Sequence, residues 1–390
     1  MLEGRPTWTI RLLVFCLLLG GLRDPRLFAL GGAAAWGAVW LERPALGPAV
    51  AWLPWLCWAA LSTLASAQPL AGLPFLARWS AILACASLAA SWNAREREEW
   101  LKVFFAAASV LGIASLATGA VGGEWRNAMT GLIPPYYNYT AFVLAAAAAA
   151  AAAWALHPRG ARGTQKKAAA AVCALALLCI FLARSRGAGL GLAVAAGVWA
   201  ARRWGLRALA AGAAAAAILA AALAGGLMPE ALDRILLKKY RVHAEVRPQI
   251  WRAALDIASD NPWLGVGPGN FAVGFRLRPV AFEDGSARWA MSPDYAPSEP
   301  LQTAAETGWA GLALWLLGAG AALRALIRRA GDDPVREAAA AAAAAMSAQL
   351  LVDNMLQIPA LAALWVAALA VAAAPPQTKR WPRAVAVAGA

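Results

Sequence analysis

Apolar stretches separated by short charged or Pro/Gly-rich punctuation run through almost the whole chain. A helix needs about 20 mostly apolar residues to cross a hydrocarbon layer roughly 30 Å thick. Read at that length, the pattern predicts spans near 8–22, 27–42, 46–66, 76–93, 101–121, 138–156, 168–183, 187–201, 208–227, 301–323, 337–356 and 359–374. The division is least sharply marked in the first two spans, at the split between 183 and 187, and in the last pair, which Pro359 interrupts. The expected fold class is an all-α polytopic membrane protein with about twelve transmembrane helices. Leu12 to Leu22 have the length of a signal core after Arg5 and Arg11, but Arg23-Asp24-Pro25-Arg26 follows without a small-residue cleavage site. That segment is therefore read as a retained anchor.

One connection departs from the pattern of short loops. It divides the chain into helices one to nine (1–227), a long loop (228–300), helices ten to twelve (301–374) and a tail (375–390). Long loops without elements of their own are usually functional or disordered. Trp251, Trp263, Phe271, Phe275, Phe282 and Trp289 argue against disorder. Ile250, Trp251, Ala254, Leu255 and Ala258 recur at helical spacing, as in a helix that lies on the membrane surface or caps the bundle. Asn261-Pro262 ends that helix, and Gly265, Gly267 and Gly269 then form a tight turn.

Lys and Arg favour the cytoplasmic side of short loops, which sets the orientation. With the N-terminus inside, twenty basic residues fall inside, from Arg5, Arg11 and Arg43 through the clusters at 95–102, 159–167, 202–207 and 324–336 to Lys379, Arg380 and Arg383. Six fall in short outer loops: Arg23, Arg26, Arg78, Arg126, Arg184 and Arg186. Both termini are thus expected in the cytoplasm, and the loop at 228–300 outside it.

Composition narrows the class. At 61% hydrophobic and 14% charged, against about a quarter charged in soluble domains, the chain cannot bury its apolar surface in one aqueous core. The net charge of +14 lies in clusters between apolar runs, not on the single face or stripe that a nucleic acid requires. Cys16, Cys57, Cys85, Cys173 and Cys179 all sit inside apolar runs without a CxxC pair, and read as small buried hydrophobes. The alanine runs at Leu144 to Ala153 and Ala338 to Ala345 suit close helix contact in lipid, although coding bias explains them equally well.

Ionisable groups at membrane depth are candidates for function. Arg184-Ser185-Arg186-Gly187 lies between two apolar runs. It is either a hairpin whose arginines snorkel to headgroups or a guanidinium site that grips a phosphate through two parallel hydrogen bonds. Arg247 precedes the loop helix, with Lys238, Lys239 and Arg241 adding positive charge nearby. Ser298-Glu299-Pro300-Leu301-Gln302 and Ala305-Glu306-Thr307-Gly308 open the tenth span, where the alternative to a catalytic role is N-capping. Asp353-Asn354 in the eleventh span is a buried acid able to pair with one of the arginines. Gly265-Val266-Gly267-Pro268-Gly269 is a weak phosphate-loop signal, because it follows a helix and lacks the lysine.

Three segments in order resemble the O-antigen ligase and polymerase superfamily of bacterial membrane glycosyltransferases. They are Ser185-Arg186-Gly187-Ala188; Arg247 with Ile250-Trp251 and Asn261 to Phe271; and Leu301-Gln302 with Ala305-Glu306-Thr307-Gly308 and Gly311. The resemblance covers roughly residues 70 to 375. It implies a GT-C-like helical fold with a partly helical periplasmic loop between helices nine and ten. The implied activity moves a glycan from an undecaprenyl diphosphate carrier to an acceptor at the outer face of the inner membrane. The acceptor is lipid A core, another lipid-linked repeat, or protein. By similarity Arg186 and Arg247 bind the diphosphate and steady it as it leaves, in a setting built from Arg184, Ser298, Gln302 and Glu306. No metal, cofactor or nucleic-acid partner is expected.

The resemblance departs at one position. Where the family carries a histidine thought to activate the acceptor hydroxyl, this chain has Pro297 in Ala296-Pro297-Ser298-Glu299. The remaining bases are Glu299, Glu306, Asp294 and His243, and Glu299 is preferred. Two other readings stand beside a metal-independent transferase: a transporter of lipid-linked glycan, against which no repeated halves are visible, and an inactive homologue that only binds the glycan.

Overall fold

The computed structural model describes residues 25–42, 47–122, 130, 132–133, 137–205, 207, 246–278, 293–329 and 333–373. The spans expected at 8–22 and 208–227, Cys16, Phe282, Trp289, Lys238, Lys239, Arg241, His243 and the tail lie outside those residues. The described residues form helices and turns without a strand: α1 (Pro25–Glu42), α2 (Leu53–Ala65), α3 (Pro69–Ser91), α4 (Ala94–Gly122), α5 (Tyr137–Leu156), α6 (Thr164–Ala183), α7 (Arg186–Trp204), α8 (Val246–Asp260), α9 (Phe271–Arg276), α10 (Glu299–Arg329), α11 (Pro334–Leu350) and α12 (Pro359–Ala373). By length and apolar composition α3, α4, α5 and α6 each suffice to cross a membrane, and Leu30–Leu41, Val50–Ala65 and Pro359–Ala373 are shorter apolar helices.

Local chemistry sets the helix ends. Asn93 and Glu96 close α4 with a reciprocal capping box, each side chain accepting the other's backbone N–H at 3.0 and 2.7 Å. Asp333 caps α11 through the amides of Val335 and Arg336, and Pro334 follows where a missing N–H costs nothing. The sharp boundary after Ala183 is real: Arg184 takes a left-handed conformation at φ 52°, and Ser185 caps α7 by accepting from the Ala188 amide. Pro359 likewise starts a new helix.

Packing puts α5 in the middle of one group, surrounded by α4, α6, α7 and α11, while α3 and α10 pack on α12, which joins the groups through α11. Both alanine runs are buried in this interior. Residues Ala149, Ala153, Ala195, Ala341, Ala344 and Ala345 meet as one cluster, and a Cβ on Gly191 would press on the Ala345 carbonyl. Without a hydrophobic drive between helices in lipid, small residues of this kind permit the close approach that dispersion needs. Outward faces carry Leu64, Leu70, Phe181 and Leu317 at 67–79% exposure, apolar surface that suits lipid and not water. Trp52 stacks on Trp79 at 6.3 Å and meets Trp365 edge-on at 5.4 Å, and Trp315 stacks on Trp365 at 6.1 Å.

Three predicted boundaries differ. The third span begins as a 3-10 turn, Gly47–Trp52, before α2. The eleventh ends at Leu350 and not at 356, so Asp353 lies in a loop and not within a helix. Arg78 sits in α3 and not in the connection before it. Cys57 is exposed, unlike buried Cys179.

The tenth span, read as continuous, breaks at Gly308, whose φ of 73° and ψ of 176° are not helical. The carbonyls freed there find new donors in the loop. Val266 N–H bonds Ala305 O at 3.0 Å and Gly267 N–H bonds Glu306 O at 2.9 Å, while Trp309 N–H reaches Pro262 O at 2.8 Å. Ser62 adds a hydroxyl to Glu306 O, and Trp58 its indole N–H to Thr307 O, both at 3.0 Å. A broken helix is tolerated at depth where protein groups satisfy it in this way. Gly308→Ala should therefore cost about 1–3 kcal/mol from the backbone conformation alone, and a Cβ would also meet the carbonyls of Pro262 and Trp263. Thermal unfolding followed by tryptophan fluorescence should show a melting temperature lower by several degrees; a melting curve like the parent's would contradict this role of the break.

Candidate functional site

The loop from Leu351 to Ile358, between α11 and α12, gathers the polar side chains of the bundle. Asp353, 1% exposed, accepts a charged hydrogen bond from Arg247 Nη2 at 2.8 Å, and Arg247 Nη1 donates to the Val352 carbonyl at 2.5 Å. Arg247 comes from the first turn of α8, so this ion pair ties α8 to the bundle. Asn138 at the start of α5 donates to the same Asp353 oxygen at 3.4 Å, and Gln349 Nε2 stands 3.5 Å from the other. Ser185, the cap of α7, donates to Asn138 Oδ1 at 2.8 Å. Buried polar groups need partners, and here three elements supply them to one carboxylate.

Arg186, the first residue of α7, is exposed. Its neighbour Gly187 packs so closely that a Cβ would stand 2.6 Å from Asp353 Oδ2. The two arginine-bearing segments singled out in the sequence therefore meet at Asp353, and the expected pairing of that acid with an arginine is Arg247–Asp353. The Arg247 side chain stays 34% exposed, which leaves a guanidinium that is positioned but accessible. Arg184 is exposed at the end of α6. At this helix start the N-terminal dipole of α7 adds to the positive potential.

The remaining predicted residues form a second group on α10. Glu299, Gln302 and Glu306 are 2–4% exposed and share one face of the helix. Glu299 Oε1 accepts the Leu356 amide at 2.6 Å, so it holds the same loop that carries Asp353. Glu306 Oε1 accepts the Gly269 amide at 2.9 Å, and the Phe271 amide also bonds this carboxylate. Gln302 Oε1 accepts the Ala296 amide at 2.6 Å, and Trp251 donates to the Pro297 carbonyl at 3.1 Å. Gln302 thus fastens the segment that leads into α10, and Glu299 the loop at Leu356. Ser298 is buried and Asp294 exposed.

These contacts also decide the Gly265–Gly269 turn. The amides of Val266 and Gly267 bond α10 carbonyls and that of Gly269 bonds Glu306; a phosphate would have to displace them. Gly267 and Gly269, at φ 91° and 79°, lie where any Cβ would press on Ser66 and Ala71, so the turn is shaped by contact with the α2–α3 corner.

Three side chains bonded to the loop at 351–358 carried no expectation from the sequence. Asn138 and Gln349 are polar groups within apolar runs, the signal that could have marked them. Arg78 was assigned to a loop, yet its guanidinium donates to the Gln357 carbonyl and side chain at 3.3 and 3.0 Å and lies over the Phe75 ring. Among the described residues no three His, Cys, Asp or Glu side chains gather as a metal site requires.

At the opposite end of the bundle, His157 approaches Glu337 at 3.5 Å and Arg97 approaches Asp333 at 3.9 Å. The polar network around Asp353 and these pairs thus mark the two ends of the helices.

No curated protein matches the chain. The O-antigen ligase family model matches residues 171–316, an interval that contains Arg184 to Gly187, Arg247, the glycine turn and the segment from Glu299 through Gly308. Residues 171–316 are thus similar to the O-antigen ligase family, and of the segments they contain, those at Gly187, Arg247 and Glu299 meet the loop that holds Asp353.

Proposed function

We propose that this protein transfers an oligosaccharide or polysaccharide from undecaprenyl diphosphate to an acceptor at the periplasmic face of a bacterial inner membrane, as an O-antigen ligase-type glycosyltransferase. The observation that carries the reading is the convergence of the Arg186–Gly187 helix start and Arg247 on Asp353. In this reading Arg186 and Arg247 grip the diphosphate, with Arg184 beside them. They offset the charge that develops on the leaving oxygen as its bond to the anomeric carbon breaks. Fixed positive groups in a water-poor site are a large catalytic term. The acceptor hydroxyl oxygen forms the new bond, and its proton passes to Glu299, one of whose oxygens is engaged by Leu356.

Polymerase and protein O-oligosaccharyltransferase chemistry would use the same donor with a different acceptor. A non-transferring homologue that binds lipid-linked glycan is the second reading. It is favoured by Pro297 at the place of the family histidine and by the burial of Glu299.

Proteoliposomes loaded with undecaprenyl-diphosphate-linked oligosaccharide and lipid A core should show glycan transfer; donor that is moved across the bilayer or held without transfer would overturn the assignment. Arg247→Lys retains charge but loses the planar two-point geometry, and transfer should fall about 100-fold. Gly187→Ala should improve helix propensity yet displace Asp353, so donor affinity should weaken while the fold persists; unchanged affinity would separate Gly187 from the site. Glu299→Gln can still accept the Leu356 amide, so it should leave donor binding intact and abolish transfer. Full activity in that variant would remove Glu299 as the base.

A further inference from the structure

Beneath the two buried acids of α10 lies a small cavity lined by Glu299, Gln302, Glu306, Trp55, Trp79 and Trp315. Its volume, about 10 Å3 measured over the positions a water-sized sphere's centre can take, matches about one water molecule. Trp55 is 1% exposed, and its indole Nε1, a donor only, finds no acceptor in the protein. A buried N–H without an acceptor costs roughly 1–3 kcal/mol. The same cavity presents two carboxyl groups whose backbone partners, the Leu356 and Gly269 amides, are already in place. A neutral ligand that accepts one hydrogen bond and donates two satisfies every one of these groups.

We propose that the cavity binds one ordered water molecule, which accepts from Trp55 Nε1 and donates to Glu299 and Glu306. The volume excludes a sugar, and an inorganic cation would not satisfy the indole N–H. The water joins two anchors that otherwise act apart. Glu299 holds the loop that carries Asp353, and Glu306 holds the turn at Gly269 and the start of α9. Through the water, the two outer segments share one fixed point on α10. The proposal concerns the architecture beneath the arginines and stands whether or not glycan transfer does.

The test is a cryo-electron microscopy map of the full chain in nanodiscs, together with a variant carrying benzothienylalanine at position 55, which keeps the shape of tryptophan and lacks its N–H. The map should show a density peak within hydrogen-bond distance of Trp55 Nε1 and both carboxyl groups. The variant should melt about 2 °C lower, with several-fold faster hydrogen exchange at the Leu356 and Gly269 amides. A resolved cavity without density overturns the proposal. So does a variant that melts at or above the parent temperature, because in a dry cavity the N–H is a liability whose removal helps. Should the variant not fold, the map of the unmodified protein decides alone.

Discussion

Asp353 is a carboxylate with almost no access to water, in a protein whose surroundings are largely apolar. The cost of placing a charge there is several kcal/mol unless a counter-charge and hydrogen bonds meet it in good geometry. Arg247 supplies the charge, and Asn138 and Gln349 the additional donors. Each of those side chains comes from a different element, so satisfying one carboxylate aligns α5, α8 and α11 and, through Ser185, the start of α7. Removing a single partner would leave the remainder buried and uncompensated. The placement of Arg186 and Arg247 is in this sense a by-product of neutralising Asp353.

The second constraint is the broken helix. A helix normally satisfies its own backbone, whereas α10 gives up that independence at Gly308 and relies on Pro262 to Gly267 for replacements. The exchange binds the segment at 262–267 to the bundle by main-chain bonds, which tolerate side-chain change better than a salt bridge. Glu306 adds a side-chain bond to the same turn. The segment from α8 to the glycine turn therefore has two independent attachments, one electrostatic at Asp353 and one made of peptide groups at the break. Phe271, Phe275, Ile250 and Ile257 form a small apolar core of their own between them.

Much of this could be read from the chain alone. Helix positions follow from apolar runs, and the boundaries at Arg184 and Pro359 follow from local chemistry. The helix at 246–260 showed in its spacing, but its buried face is Ile250, Ala253, Ala254, Ile257 and Ala258, while Leu255 of the expected stripe is exposed. The partnership of Asp353 with an arginine was foreseeable from cost alone. What remained illegible depends on distance in sequence. Arg78 and Gln357 are 279 residues apart, and nothing local to either announces the other. The break at Gly308 is not announced by the sequence, because glycine in a membrane helix is common, and only the fold shows the Trp263 and Pro262 carbonyls so close that a Cβ there would meet them. Glu299 looked like a free acid at a helix start; only the fold shows that the Leu356 amide occupies one of its oxygens.

The dependence of α10 on the glycine turn has a consequence for how the protein is made. Ribosomes deliver the chain from its N-terminus, so residues 262–269 emerge before residues 299–329. The donors that complete the interrupted helix are thus synthesised ahead of the carbonyls that need them, and α2 and α3, which press against the turn, are earlier still. The order of synthesis matches the order of need: the residues that supply the donors precede the helix that requires them.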